Sequence, residues 1–218
     1  MRAAGTEAVV FDFDGVLVES TEVKTRAFAA LYRQYGADAA ERAVAYHLAN
    51  TGISRYVKFQ HLHRAILGIE LSQNELEQLG QRFSQLVKDE VVKAPWVAGA
   101  HEFVAAHHET LPLFVASGTP DSELNAIVAQ RGMRKYFCSV HGSPATKCEI
   151  IAGVVQRHRF EPGRVLMIGD SIADYEGALE VGVRFLGVAP TGARTFPDSV
   201  AVLPDLTGLN KHLDRVVP

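Results

Sequence analysis

Short apolar runs that recur along the chain, each followed by polar residues or glycine, constrain the fold more than any other feature of this sequence. Runs of this length are typical of buried parallel strands. Segments with helical spacing separate the later runs. The alternation predicts an α/β fold with one parallel sheet. The predicted strands are Ala8–Phe11, Leu111–Ala116, Val165–Ile168 and Arg184–Val188, and the predicted helices are Asp121–Arg131, Thr146–His158 and Ser171–Val181.

The segment from Val16 to about Lys88 interrupts this alternation, because it contains amphipathic helical stretches and no strand-like run. It follows the first predicted strand directly, at the carboxyl edge of the sheet, where open α/β sheets bind ligands. We therefore expect a helical cap over this edge. The predicted division is a Rossmann-like core of residues 1–16 and 89–218 and an inserted cap of residues 17–88, with helices in Thr25–Tyr35, Tyr56–Leu67 and Asn74–Val92.

The composition is that of a globular protein with a substantial core: 218 residues, of which 47% are hydrophobic. Lysine and arginine number 22 against 25 acidic residues, a net charge of −3, so no overall positive field attracts nucleic acid or an acidic membrane surface. Cys138 and Cys148 are too few for a disulfide framework and fit a reducing compartment. We expect a cytoplasmic protein with a small diffusible substrate, and the sequence indicates no oligomeric state.

Two carboxylates one residue apart follow the first predicted strand, in Asp12-Phe13-Asp14-Gly15. A carboxylate at a strand end is placed to act as a nucleophile, while its neighbour two residues on can protonate a leaving group and later activate water. The glycine lets the chain turn sharply. A helix-capping or turn motif explains the same short pattern equally well, so the pattern alone leaves both interpretations open.

A second pair of carboxylates follows a later predicted strand. Asp170 comes just after the Val165–Ile168 run, and Asp174 follows one helical turn further on. A carboxylate that attacks a phosphate ester meets like-charge repulsion, which a divalent cation relieves. Carboxylate oxygens suit Mg²⁺, although Asp170 by itself is equally well explained as a helix cap.

Groups that can bind a phosphate stand at two more positions. Lys147 lies at the start of a predicted helix, where its ammonium group can neutralise a phosphate. Ser117 and Gly118 follow the Leu111–Ala116 run and offer a hydroxyl and a backbone N–H group. Alone, the lysine is as well explained by simple solvation, and the Ser-Gly pair by a strand-to-helix turn. Together with the acidic motifs, they point to one site.

In this order, the motifs resemble those of the haloacid-dehalogenase-like hydrolase superfamily, in the branch with a helical cap after the first motif, from about Ala8 to Val188. The resemblance implies a Mg²⁺-dependent phosphatase for a small phosphorylated metabolite, such as phosphoglycolate, a sugar phosphate or a nucleoside monophosphate. It implies that Asp12 is the nucleophile and Asp14 the general acid and base. By the same resemblance, Ser117, Gly118 and Lys147 bind the phosphate, and Mg²⁺ is held by the Asp12 carboxylate, the Asp14 backbone carbonyl and Asp170, with Asp174 close by.

One motif departs from the pattern common in this family, which places a lysine directly before a proline. Here Ser143 precedes Pro144, and Lys147 comes three residues after the proline. One helical turn can bring Lys147 back toward the phosphate. Whether Lys147 or another residue is the phosphate-binding lysine stays open at this point.

Within the family, the acid at position 14 favours phosphoester cleavage over dehalogenation, because an alkoxide leaving group must be protonated and a halide need not be. A β-phosphoglucomutase-like mutase is the alternative, since Gly52-Ile53-Ser54-Arg55 resembles the substrate-facing cap loop of that enzyme. Such mutases carry a histidine where this chain has Lys24, so we favour a phosphatase. Lys24 and Arg55 are the candidate cap residues that contact substrate, and a solvated helix face explains Arg55 and Lys58 about equally well.

A non-catalytic phosphate- or metal-sensing module, similar to a response-regulator receiver, is the alternative from another functional class. Receivers also use an aspartate, Mg²⁺ and a lysine. They lack an inserted helical cap, and they have no need of a second acid at position 14. Both features favour an enzyme.

Overall fold

The computed structural model of the protein describes residues 5–191 and 193–213. Its strands are β1 (Ala8–Phe11), β2 (Leu113–Pro120), β3 (Ser139–Ser143), β4 (Val165–Gly169), β5 (Arg184–Val188) and β6 (Val202–Leu203). They form one parallel sheet in the order β3-β2-β1-β4-β5-β6. The predicted α/β, Rossmann-like sheet is thereby confirmed, and β1 lies near its centre.

Two strands differ from the prediction. β2 does not end at Ala116 but continues through Ser117 to Pro120, with an irregular register against β3 between Ala116 and Pro120. β3 was not predicted, because Ser139-Val140-His141-Gly142-Ser143 contains a single aliphatic residue. As an edge strand it needs less apolar surface than the central strands.

Eight α-helices complete the described chain. They are α1 (Thr21–Tyr32), α2 (Ala37–Ala49), α3 (Arg55–Leu62), α4 (Gln73–Lys93), α5 (Ala100–His107), α6 (Asp121–Gln130), α7 (Lys147–His158) and α8 (Ile172–Val181). The first four lie between β1 and β2, and α1 packs on both α2 and α4. The longest, α4, begins with a capping box between Ser72 and Glu75 and runs past Lys88 to Lys93. Within residues 5–191 and 193–213, no helix is long and apolar enough to cross a membrane.

The chain leaves the sheet for these four helices and returns from them at one place. The backbone N–H of Glu19 donates to the carbonyl of Pro95 at 3.0 Å, and the N–H of Val97 donates to the carbonyl of Leu17 at 3.1 Å. The outgoing and returning segments therefore lie side by side next to the end of β1.

The two faces of the sheet are covered by different helices. Ala8 and Val10 of β1 belong to one apolar cluster, which includes residues of α7 and α8. Val9 and Phe11 belong to a second, larger cluster, which includes α5 and α6 and continues into the four helices after β1. This alternation along a four-residue strand is the two-residue period of β structure, and it shows that both faces of β1 are covered.

Candidate active site

Asp12 lies directly after β1, with its side chain almost fully buried. Its backbone N–H donates to the carbonyl of Ile168 at 2.8 Å, which continues the pairing of β1 with β4. The carboxylate Oδ1 lies 2.7 Å from Lys147 Nζ. Burial is the largest cause that raises the pKa of Asp12 to about 7; the charges of Asp174 and Asp14 act in the same direction, and Lys147 opposes them.

Lys147 is the first residue of α7, which a capping box between Thr146 and Glu149 begins. Besides Asp12, its ammonium group contacts Asp174 Oδ1 at 2.6 Å and donates to the carbonyl of Ala116 at 2.7 Å. Burial lowers the pKa of Lys147, but the charges of Asp12 and Asp174 outweigh burial and raise it. The unusual spacing after Pro144 thus does not prevent this lysine from reaching Asp12.

Asp14 accepts hydrogen bonds from four side chains, of which the one from Ser117 is the longest. Ser20 Oγ donates to Oδ1 at 2.6 Å, Thr119 Oγ1 donates to Oδ2 at 3.1 Å, and Lys24 Nζ contacts Oδ2 and Thr119 Oγ1. Burial raises the pKa of Asp14, but the charge of Lys24 and these hydrogen bonds outweigh burial and lower it. The carboxylate is therefore ionised in the ligand-free protein.

Ser117 and Gly118 lie in the irregular part of β2, beside Asp14. Ser117 Oγ is 3.4 Å from Asp14 Oδ2 and accepts a hydrogen bond from the backbone N–H of Thr119 at 3.1 Å. At Gly118 the backbone approaches the loop after α2 so closely that a Cβ atom would lie 2.5 Å from the carbonyl oxygen of Gly52. Glycine at 118 therefore allows this loop to pack onto the carboxyl edge of the sheet.

Three carboxylates cluster beside the same edge. Oxygens of Asp12, Asp170 and Asp174 all lie within 4.8 Å of one another. Burial, followed by the charges of Asp12 and Asp174, raises the pKa of Asp170 well above its usual value. Asp174 Oδ2 is fixed by Ser171 Oγ at 2.6 Å in the capping box of α8.

The backbone after Asp14 runs against this cluster. Gly15 has a φ of +80°, and a Cβ atom at this position would lie 2.4 Å from Asp170 Oδ2. Only glycine therefore fits, on both conformational and steric grounds. The arrangement places the Asp14–Gly15 peptide beside the Asp170 carboxylate.

Arg55 and Lys58, both on α3, are buried, so a solvated helix face is a wrong explanation for them. The Arg55 guanidinium forms a two-point ion pair with Glu123 of α6, at 2.5 and 3.0 Å, and lies over the Phe83 ring. Lys58 Nζ lies 2.9 Å from His47 Nδ1.

A cavity of ≈50 Å³ separates the helices after β1 from the edge of the sheet. On the sheet side it is lined by Asp12, Asp14, Gly118, Thr119 and Asp170. On the helical side the lining includes Lys24, His47, Arg55 and Lys58, with Phe28 and Phe83. Of the predicted site residues, Asp12, Asp14, Gly118, Asp170, Lys24 and Arg55 therefore line one space, whereas Ser117, Lys147 and Asp174 are not part of its lining.

Several residues of this site were not predicted. Thr119 adjoins Ser117-Gly118 in sequence, so its position after the same strand was a usable signal. His47 and Glu123 carry no such signal, because each meets its partner only through the folding of distant helices. Ser20 was also missed, because a serine before a helix predicts only that it caps the helix N-terminus.

The comparisons with known proteins agree with this geometry. The model of the haloacid dehalogenase-like hydrolase family matches residues 6–182. The chain is 27% identical over 203 residues to the phosphoglycolate phosphatase of Synechococcus elongatus, with 91% of each chain covered. It is 25% identical over 190 residues to the phosphorylated carbohydrates phosphatase of Thermotoga maritima, covering 84% of this chain and 85% of that protein.

Solved structures show the same fold. A haloacid dehalogenase-like hydrolase of Streptococcus pneumoniae superposes with a TM-score of 0.71 at 18% identity, covering 97% of this chain and 99% of that one. CbbY of Rhodobacter sphaeroides, solved in complex with phosphate, superposes with a TM-score of 0.72 at 18% identity, covering 96% and 100%. Since the family model spans most of the chain, from β1 to the end of α8, this protein belongs to the haloacid dehalogenase-like hydrolase family.

Proposed function

We propose that this hydrolase is a Mg²⁺-dependent phosphatase, which cleaves a small phosphorylated metabolite through an aspartyl-phosphate on Asp12. The observation that carries the proposal is the pairing of two carboxylates at the end of β1 with different environments. Asp12 contacts Lys147 and the acidic cluster, whereas Asp14 contacts Lys24, Thr119 and Ser20. Two acids with separated tasks are what a double-displacement reaction requires.

In the first half-reaction, an oxygen of Asp12 attacks phosphorus and the bond from phosphorus to the ester oxygen breaks. Lys147, at 2.7 Å from Asp12, offsets the negative charge of the phosphoryl group, and Ser117 and Gly118 line the space beside it. Asp14 gives its proton to the departing alkoxide. Although Asp14 is ionised in the ligand-free protein, a bound phosphate dianion favours its protonation by like-charge repulsion.

In the second half-reaction, Asp14 is already a carboxylate and acts as a base. It takes a proton from a water molecule, whose oxygen attacks the phosphorus of the Asp12 phosphoryl group. Inorganic phosphate leaves and the Asp12 carboxylate is restored, while Asp14 is again protonated. Lys24 and Thr119 orient Asp14 through both steps.

The acidic cluster fits a hard divalent cation. Asp12 and Asp174 are buried and Asp170 is partly exposed, and the ammonium group of Lys147 contacts Asp12 and Asp174. Burial and mutual repulsion raise the pKa values of Asp12 and Asp170, which is the electrostatic cost that a bound cation removes. When bound, Mg²⁺ neutralises charge on the phosphoryl oxygens. Asp12 and Asp170 would hold it, with the backbone carbonyl of Asp14, and Asp174 would lie close by.

We further propose that α1 to α4 form the cap and that its junctions with the core lie at the paired segments around Val18 and Trp96. The predicted boundaries, residues 16/17 and 88/89, differ because α4 continues to Lys93. Opening at these junctions would admit substrate, and closure would exclude bulk water during attack on phosphorus.

The substrate is proposed to be small, because the closed cavity is ≈50 Å³. The two curated relatives, named for phosphoglycolate and for phosphorylated carbohydrates, support this substrate class. Hydrolysis is favoured over isomerisation by Lys24, which pairs with Asp14 where a β-phosphoglucomutase-like enzyme carries a histidine. Release of free phosphate from β-glucose 1-phosphate supports hydrolysis, and formation of glucose 6-phosphate contradicts it. A cytoplasmic location stays a prediction from cysteine content.

The proposal is tested by phosphate release from an aryl phosphate and from a panel of phosphorylated metabolites, with and without Mg²⁺. Asp12→Asn is expected to lower kcat about a thousandfold or more, because the nucleophile is lost. Asp89→Asn, an exposed change of the same kind on α4, is the matched control and is expected to retain activity. Undiminished activity of Asp12→Asn, or no activity of the wild-type protein with Mg²⁺, contradicts the proposal.

A further inference from the structure

Three cationic side chains reach the cavity from the cap helices, and two of them have carboxylate partners. Lys24 pairs with Asp14, and Arg55 pairs with Glu123. Lys58 is only 3% exposed, and within residues 5–191 and 193–213 its hydrogen-bonding partner is the imidazole of His47 at 2.9 Å. Its charge is therefore buried without an ion pair to a carboxylate of the described residues, and Asp14 and Asp170 act on it only from a longer distance.

The contact with Lys58 also fixes the state of His47. When Lys58 is protonated it can only donate, so His47 Nδ1 is then the acceptor and the proton of the neutral ring lies on Nε2. Burial, followed by the charge of Lys58, lowers the pKa of His47 to about 3, so the ring is neutral. His47 Nε2 is buried with no hydrogen-bond partner in the described structure. It is a second donor that lacks an acceptor.

Both groups lie against an aromatic wall. The His47 ring stacks on Phe28 with centroids 4.5 Å apart, and Lys58 Nζ lies 5.6 Å from the centroid of the same ring. A buried cation and a buried N–H without acceptors cost free energy in such surroundings. Consistent with this cost, burial and the charge of Lys24 lower the pKa of Lys58 to about 7. A ligand in the cavity can supply the missing acceptor, and the cavity that both residues line also reaches Asp12.

We propose that Lys58 and His47 bind a second anionic group on the substrate, a carboxylate or a phosphate, carried a few bonds from the phosphoryl group that Asp12 attacks. The proposal rests on the phosphatase function above and narrows its substrate class. The short distance between the two groups follows from the small cavity. Arg55 also lines the cavity, but its charge is already paired with Glu123 at two points, whereas Lys58 has no such pair among the described residues.

The test compares three phosphate esters built on the same two-carbon unit: phosphoglycolate, ethylene glycol bisphosphate and the neutral-tailed 2-hydroxyethyl phosphate. We expect the wild-type enzyme to have a higher kcat/KM for phosphoglycolate or for ethylene glycol bisphosphate than for 2-hydroxyethyl phosphate. Lys58→Met is expected to lower kcat/KM for the preferred ester by about ten- to a hundredfold, as loss of a charged hydrogen bond does, and to lower it by a smaller factor for the neutral ester. Lys58→Arg should restore part of the preference. Lys93→Met, an exposed lysine change on α4, is the matched control.

The proposal is wrong if the wild-type enzyme shows no preference for either anionic ester, or if Lys58→Met lowers kcat/KM equally for all three. Failure of every ester to release phosphate would instead contradict the proposed phosphatase function. Lys58→Met should melt no lower than the wild type, because a buried unpaired charge is removed. If Lys58→Met does not fold, the binding affinities of the three esters for the inactive Asp12→Asn variant are measured by calorimetry. The proposal requires phosphoglycolate or the bisphosphate to bind more tightly than 2-hydroxyethyl phosphate. Equal affinities overturn it.

Discussion

At the scale of single residues, Asp14 has opposite tasks in the two proposed half-reactions. Its contacts with Lys24, Ser20 and Thr119 favour the carboxylate, which is the form required to activate water. The proton needed in the first step is acquired only when the phosphate dianion is bound nearby. The acid function of Asp14 should therefore matter most for substrates whose leaving groups are strong bases.

We accordingly predict that Asp14→Asn affects alkyl and aryl phosphates differently. For alkyl phosphates kcat/KM should fall about a hundredfold or more, because an alkoxide needs a proton to leave. For p-nitrophenyl phosphate the decrease in kcat/KM should be much smaller, since a nitrophenolate leaves without one. Steady-state kinetics with both esters measure this. An equal decrease for both would contradict the role of Asp14 as general acid.

The buried acidic cluster makes the stability of the metal-free protein depend on pH. Burial raises the pKa of Asp12 from 3.8 to about 7, so the folded state binds more protons than the unfolded state between these values. Stability from this group is full below pH 3.8 and is lost as pH rises to about 7.

Mg²⁺ should therefore stabilise the protein more at pH 7.5 than at pH 5, since binding requires ionised carboxylates. Thermal melting with Mg²⁺ and with a chelator at the two pH values measures the difference. In Asp170→Asn the Mg²⁺-dependent increase in Tm should shrink at pH 7.5. An increase that is the same at both pH values in the wild-type protein would argue against a metal site in this cluster.

At the scale of elements, the end of α4 is fixed by a residue of the core. Arg131, next to the end of α6, donates from one guanidinium nitrogen to the carbonyls of Val91 at 2.9 Å, Val92 at 2.8 Å and Ala94 at 2.6 Å. The last carbonyls of a helix lack partners within the helix, and a cation suits this terminus. Arg131 thereby attaches the return from the cap to the core.

We predict that Arg131→Met destabilises the protein by about 1–3 kcal/mol, because buried carbonyls lose their donor. Urea unfolding followed by circular dichroism measures the free energy. Arg82→Met, an exposed arginine on the same α4 helix, is the matched control and should change stability little. A loss no larger than that of the control would show that these hydrogen bonds do not fix α4.

The central elements were predictable because their signals are local. β1 and β4 are runs of buried residues, β5 is buried over its last three residues, and α7 and α8 begin at polar capping residues that the sequence displays. β3 was missed because its polar residues are tolerated only at an edge of the sheet. The extension of β2 through Ser117 was missed because a Ser-Gly-Thr segment favours a turn until neighbouring strands pair with it.

At the scale of the whole molecule, a buried ion pair links α3, in the proposed cap, to α6 beside the sheet. Arg55 of α3 and Glu123 of α6 have side chains only 4% and 8% exposed, and Ser84 of α4 also donates to Glu123. Removing one partner leaves the other charge buried and unpaired, whereas removing both leaves a neutral site.

A double-mutant cycle should therefore be strongly non-additive. Arg55→Met and Glu123→Gln are each expected to cost about 3–5 kcal/mol of stability, and the double variant less than the sum of the two. The four unfolding free energies, measured in urea, give the coupling. Additive losses of unfolding free energy would indicate that Arg55 and Glu123 do not stabilise each other.

The sequence could not predict the contacts in the site between residues that lie far apart along the chain. Asp12, Asp14 and Asp170 lie at strand ends, so the parallel sheet alone predicts that they meet. The partners of Arg55 and Lys58 depend on how four helices pack over that sheet. A basic helix face looks the same in sequence whether it meets water, a glutamate or a substrate.

The most direct test of the account is whether Asp12 itself carries the phosphoryl group. We expect that rapid acid quenching of the enzyme during turnover with Mg²⁺, followed by mass spectrometry of its peptides, finds one phosphoryl group on the peptide of β1, at Asp12. The group should be absent from Asp12→Asn and should accumulate in Asp14→Asn with p-nitrophenyl phosphate, because water is no longer activated. Turnover with no phosphorylated Asp12 in either the wild type or Asp14→Asn, or with the group on another residue, would contradict the account.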